Sequence, residues 1–65
     1  MMHITYDQEA DAAYISLTDE DVHTSVEAEN NTIIDYDKNG RVVGIELLSA
    51  STTNPELIKQ AKTLA

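Results

Sequence analysis

The 65-residue chain has no cysteine, tryptophan or phenylalanine, only two glycines and one proline, and no Lys or Arg before Lys38. Without cysteine there is neither a disulfide nor a thiolate metal site. Gly40 and Gly44, the only glycines, fit neither a phosphate-binding P-loop nor a dinucleotide fingerprint. A lone arginine, Arg41, and three lysines leave no basic stripe for nucleic acid. No apolar run approaches the roughly 20 residues that span a bilayer. The opening Met1-Met2-His3-Ile4 is neither basic nor a continuous apolar stretch, so the expectation is a cytoplasmic protein that binds neither nucleic acid nor membrane.

What is present is acid. Residues 1–30 hold eight carboxylates (Asp7, Glu9, Asp11, Asp19, Glu20, Asp21, Glu27, Glu29) and no Lys or Arg, whereas in residues 31–65 four acids balance four bases, so the formal net charge of −8 comes entirely from the first half. Such a field repels phosphate backbones and steers a basic protein partner towards the chain. A domain this short buries only about 60% of the surface of its unfolded chain. With disulfides excluded, a homodimer or higher homo-oligomer is the expected source of extra stability.

The pattern predicts a single α+β domain: an antiparallel meander of about four strands in two hairpins, with one C-terminal helix packed on one face. In the first hairpin Met2, Ile4 and Tyr6 alternate with polar residues, as do Ala13, Ile15 and Leu17. A turn over Gln8–Asp11 sets Tyr6 opposite Ala13, Ile4 opposite Ile15 and Met2 opposite Leu17, with Asp7 and Asp11 capping nearby amides. Alternation over 22–28 gives a short charged edge strand. In the second hairpin Asn39-Gly40 suits a two-residue turn with both residues at positive φ. Lys38 then pairs with Arg41, Tyr36 with Val43, Asp35 with Gly44 and Ile34 with Ile45. The alternative, a type I turn with Gly40 as a bulge, would mix Asp35 and Asp37 with Val43 and Ile45 on one face, and unpartnered buried carboxylates are costly. After a polar connector over Ser49–Thr53, Asn54 as N-cap, Pro55 and Glu56 start a helix. Its apolar stripe is Leu57, Ile58, Ala61, Leu64 and Ala65, with Lys59, Gln60 and Lys62 outward.

Residues 35–46, Asp-Tyr-Asp-Lys-Asn-Gly-Arg-Val-Val-Gly-Ile-Glu, also satisfy the calcium-loop pattern D-x-[DN]-x-[DN]-G-x5-E. That loop needs a helix on each side, and the β-branched flanks read as strands. The hairpin register nevertheless projects Asp35, Asp37 and Glu46 to one face, where they form the candidate oxygen site for Ca or Mg. Asp7, Glu9 and Asp11 begin the same pattern, but Ala12 replaces the glycine. His23 beside Asp19 and Asp21 lacks metal-ligand spacing. On the sheet face opposite the helix, Tyr14, Ile33, Val42 and Leu48 are too apolar for a solvated surface and are the candidate interface. Catalytic residues are not indicated. The leading expectation is a homo-oligomeric interaction module that binds a basic protein; the alternative is a metal-dependent hydrolase or divalent-metal-binding protein whose oxygen site forms at an oligomer seam.

Two linked segments resemble a known family. Tyr6-Asp7-Gln8-Glu9-Ala10-Asp11-Ala12-Ala13-Tyr14-Ile15-Ser16-Leu17 and Ile34-Asp35-Tyr36-Asp37-Lys38-Asn39-Gly40-Arg41-Val42-Val43-Gly44-Ile45-Glu46 are similar to the prokaryotic domain of unknown function 2283. Its pattern is Y-D-x-E-A-D-A-x-Y-I-x-L followed by D-x-D-x-x-G-x-x-x-G-I-E, and Ala13 stands where leucine is common. The resemblance implies a small sheet-plus-helix domain with no established activity or cofactor, and an antitoxin-like role among small-protein systems.

Overall fold

The computed structural model describes the backbone of residues 2–64 and the side chains of residues 2–61. Five strands, β1 (His3–Asp7), β2 (Ala12–Ser16), β3 (Thr24–Ala28), β4 (Thr32–Tyr36) and β5 (Val42–Leu48), precede two helical segments, α1 (Ala50–Thr53) and α2 (Pro55–Leu64). All strand pairs are antiparallel and the order is β1-β2-β5-β4-β3. The chain is therefore α+β, as the pattern predicts, but with five strands and two helical segments. Nor is the sheet a simple meander. After β2 the chain crosses the ends of β5 and β4 to start the far edge, a Greek-key connection.

The first hairpin has the expected register, with Tyr6 opposite Ala13 and Ile4 opposite Ile15. Met2 and Leu17 lie beyond its ladder. In the second hairpin Asp35 pairs with Gly44 and Ile34 with Ile45 as expected, but Tyr36 pairs with Val42, not Val43. The turn explains the difference. Gly40 N–H donates to Asp37 O (3.0 Å) and Asp37 N–H to Arg41 O (2.9 Å). Gly40 alone of the turn has positive φ, +79°. This is the type I turn with a glycine bulge, which moves the pairing by one residue. Val43, the extra residue on β5, moves it back, so Asp35 stays off the face of Val43 and Ile45. On the β2 side of β5 the Val43 carbonyl accepts Leu17 N–H (2.9 Å) and Thr18 N–H (3.4 Å) from the start of the crossing connection. Consecutive left-handed residues occur instead at Asn30 and Asn31, φ 60° and 58°, between β3 and β4.

Helix α2 starts at Pro55 as expected, but the connector before it forms the single turn α1. The helical part rests mainly on β1 and β2. Ile58 joins Ala13 and Ala50 in the core, with Tyr6, Leu47 and Leu57 packed around them. The expected roles of Leu64, Ala65 and Lys62 lie outside the described side chains. The buried apolar residues described are Ala13, Val43, Ala50, Ile58 and Ala61, and no large side chain among the described residues is fully buried. Three alanines contribute little apolar area. No helix among the described residues is long and apolar enough to cross a membrane.

Candidate functional site

Cross-strand pairing sorts the side chains into two faces. On the helix side, Ile4, Ile15, Ile45, Ile34 and Val26 form one unbroken row across all five strands. Ile4, Ile15, Ile34 and Ile45 are half-buried and Val26 is 46% exposed. The helix does not cover the whole apolar face, as the sequence pattern suggested; its packing lies at the β1–β2 end, over the neighbouring row that contains Tyr6, Ala13 and Leu47.

On the opposite face, His3, Ser16, Gly44, Asp35 and Ser25 form one row, and Thr5, Tyr14, Glu46, Ile33 and Glu27 the next. Tyr14 reaches diagonally over Gly44, and its Oη–H donates to Asp35 Oδ2 (2.9 Å). From the other side Ser25 Oγ–H donates to Asp35 Oδ1 (2.7 Å). Gly44 makes this crossing possible, since a Cβ there would overlap the Tyr14 hydroxyl and ring. Burial, then the bond to Asp35, raises the Tyr14 pKa above the usual phenol value.

Of the candidate metal ligands, Asp35 and Glu46 share this face, but both oxygens of Asp35 accept hydroxyls. Asp37, expected beside them, is displaced by the type I turn and nearly buried, 9% exposed. Its Oδ1 accepts Asn39 N–H (2.8 Å) and Arg41 N–H (3.0 Å). The Arg41 amide is the leading cause that holds the Asp37 pKa below the ordinary carboxylate value. No group of three or more His, Cys, Asp or Glu among the described residues is arranged to hold a metal ion. A shallow cleft beside this turn is lined by Glu20, Asp21, His23, Asp37 and Lys38.

Of the candidate interface residues, Tyr14, Ile33 and Leu48 lie on the mixed face as expected, with Leu48 38% exposed. Val42 does not. The bulge pairs it with Tyr36 on the helix side. Neither Ser25 nor the continuity of the row from Ile4 to Val26 is marked by the sequence pattern, which places Val26 only in a short edge strand.

The opening motif is a second structural hub. Asp7 Oδ1 accepts Glu9 N–H (3.0 Å) and Ala10 N–H (3.2 Å), closing the first turn. Asp11, at φ 52°, accepts Tyr6 Oη–H (2.6 Å), Ser51 N–H (3.0 Å) and Ser51 Oγ–H (2.8 Å). A carboxylate forty residues away in sequence thus caps the start of α1, where free amides and the helix dipole favour an anion. Tyr6, followed by the Ser51 contacts, lowers the Asp11 pKa; the same bond raises that of Tyr6. Asp7 and Asp37 thus close turns, Asp11 caps a helix and Asp35 ties strands together.

No curated protein and no solved structure matches the chain. A family model does, over residues 3–51, and its description is "Protein of unknown function (DUF2283)". Those residues include all five strands and the Ser51 cap contact. The chain belongs to the DUF2283 family.

Proposed function

We propose that the protein is a cytoplasmic, non-catalytic, homo-oligomeric interaction module that receives a basic protein partner, an antitoxin-like role. One observation carries this reading: the sheet segregates charge by face. Among the described residues, the paired positions on the face away from the helix carry Asp7, Glu27, Asp35 and Glu46, and no Lys or Arg. The bases stand elsewhere, Lys38 and Arg41 at the β4–β5 turn and Lys59 and Lys62 in α2. The acidic connection from Asp19 to Asp21 adds to the same field. A surface of one sign accelerates encounter with the opposite sign and rejects like-charged partners.

The test is affinity capture of a basic protein encoded beside this one, followed by titration at rising salt. Binding that weakens at least tenfold between about 50 and 300 mM salt supports the reading, because screening shortens the reach of exposed charges. Binding indifferent to salt, or unaffected by Glu27→Lys with Glu46→Lys, overturns it.

A further inference from the structure

We infer that the row from Ile4 to Val26 is the seam on which a second copy of this chain packs, sheet face against sheet face. The inference deepens the homo-oligomeric part of the proposed function and rests on it. It names the helix-side face, not the mixed face, as the surface used.

Three observations point to a second copy. First, the row crosses every strand of the sheet, yet none of its five residues is fully buried. Second, the paired positions on this face carry no charge: the neighbouring rows supply Tyr6, Ala13, Leu47 and Thr32 on one side, and Val42, Tyr36 and Thr24 on the other. Two chains of net charge −8 can meet here without opposing like charges across the seam, whereas the mixed face would set Asp35, Glu46 and Glu27 against their own copies. An uncharged face also offers nothing to recognise the basic partner assigned to the other side. Third, the accessible surface is 4705 Å², against about 4,100 Å² expected for a monomer of 7.2 kDa. A pair that removed this excess of roughly 600 Å² from each chain would bury about 1,200 Å², the lower end of specific interfaces.

The position of the helices gives the arrangement. They stand over the β1–β2 end, with Leu47 of β5 at their margin, and leave the rest of β5, β4 and β3 as the open part of the face. A two-fold axis near Ile34 apposes these open parts and sends the two helical ends to opposite sides. The two sheets then lie about 10 Å apart, as in sandwiches, and identical patches meet in a closed pair.

Sedimentation velocity on the wild-type chain, Val26→Lys and Leu48→Lys tests this. Val26 and Leu48 are both substantially exposed, so each lysine is tolerated in a folded chain, and circular dichroism checks it. Ile34→Thr, which keeps a β-branched residue, serves as a second seam variant. The expected result is a concentration-dependent dimer for wild type and Leu48→Lys, with dissociation at least tenfold stronger in Val26→Lys and Ile34→Thr. A wild type that stays monomeric at several hundred micromolar overturns this inference and the homo-oligomeric reading together. A wild-type dimer that survives Val26→Lys and Ile34→Thr overturns the choice of face alone.

Discussion

Replacing Gly44 with alanine adds one methyl group, and its effect is set by Tyr14. The new Cβ would occupy the space of the phenol ring and hydroxyl, so Tyr14 must leave and its 2.9 Å bond to Asp35 breaks. A hydrogen bond to a charged acceptor is worth about 1.5–3 kcal/mol, and displacement of a packed ring adds roughly 1 kcal/mol or more. The expected loss is therefore about 2–4 kcal/mol, a large share of the roughly 3–10 kcal/mol available to a domain of this length. In a domain this small each kilocalorie moves Tm by about 4–8 °C, so melting should fall by at least about 8 °C. Urea denaturation gives the free energy directly, and a double-mutant cycle separates causes. Tyr14→Phe should lose only the hydroxyl, about 1.5–3 kcal/mol. In a Tyr14→Ala background the added cost of Gly44→Ala should fall below about 1 kcal/mol, since the clash is gone. Equal cost with and without Tyr14 would refute the reasoning, because the penalty would then arise from the strand backbone.

Four further outcomes follow from the same geometry. Asp11 and Asp37 have lowered pKa values, so the stability they supply is complete above the unfolded carboxylate value of about 4 and is lost as pH falls through their lower folded values; Tyr6 and Tyr14 have raised values, so theirs is complete below about pH 10 and lost above it. Thermal melts from pH 2 to 11 should show both limbs, the acid one shrinking in Asp37→Asn; a flat acid limb would contradict the carboxylate assignments. Gly40→Ala meets no atom but must hold φ near +79°, and should cost about 1–2 kcal/mol by urea denaturation, while Gly40→Asn should cost less. Ser51→Ala removes one bond to Asp11 and should cost about 1 kcal/mol; the cost should vanish in an Asp11→Ala background, and a cost that persisted there would contradict the long-range cap. Calorimetry with calcium, magnesium and manganese should give no saturable heat, since both Asp35 oxygens and one of Asp37 already accept hydrogen bonds; a saturable heat abolished by Asp35→Asn and Glu46→Gln would show that the face opens to bind metal.

Much of the sheet was legible because alternation is a local signal. Ile4 with Ile15 and Ile34 with Ile45 follow from period-two patterning and loop length alone. The β4–β5 turn was harder, because two irregularities cancel: the glycine bulge shifts the pairing and the Val43 bulge restores it. Taken by itself, a three-residue loop is disfavoured for burying Asp35 and Asp37; the second bulge removes the penalty at Asp35, and the turn amides offset it at Asp37. The two left-handed residues at Asn30 and Asn31 were visible in principle, since asparagine tolerates that region. The Asp11–Ser51 cap and the Tyr14–Asp35–Ser25 bridge join residues distant in sequence, and no local pattern records them. Nor did periodicity reveal how little of the apolar face the helix covers, because a stripe of apolar residues on α2 states that the helix packs but not where.

The protein carries six isoleucines, and their methyl groups report on every surface in dispute. Ile4, Ile15, Ile34 and Ile45 lie in the row, Ile33 lies on the opposite face and Ile58 lies in the core. Methyl spectra of isoleucine-labelled protein, recorded from micromolar to millimolar concentration with a soluble paramagnetic agent, test the seam without altering the chain. The account predicts shifts and growing protection at Ile15, Ile34 and Ile45 as concentration rises, with Ile33 and Ile58 unchanged. Protection at Ile33 instead, or no concentration dependence at any of the six, would contradict it.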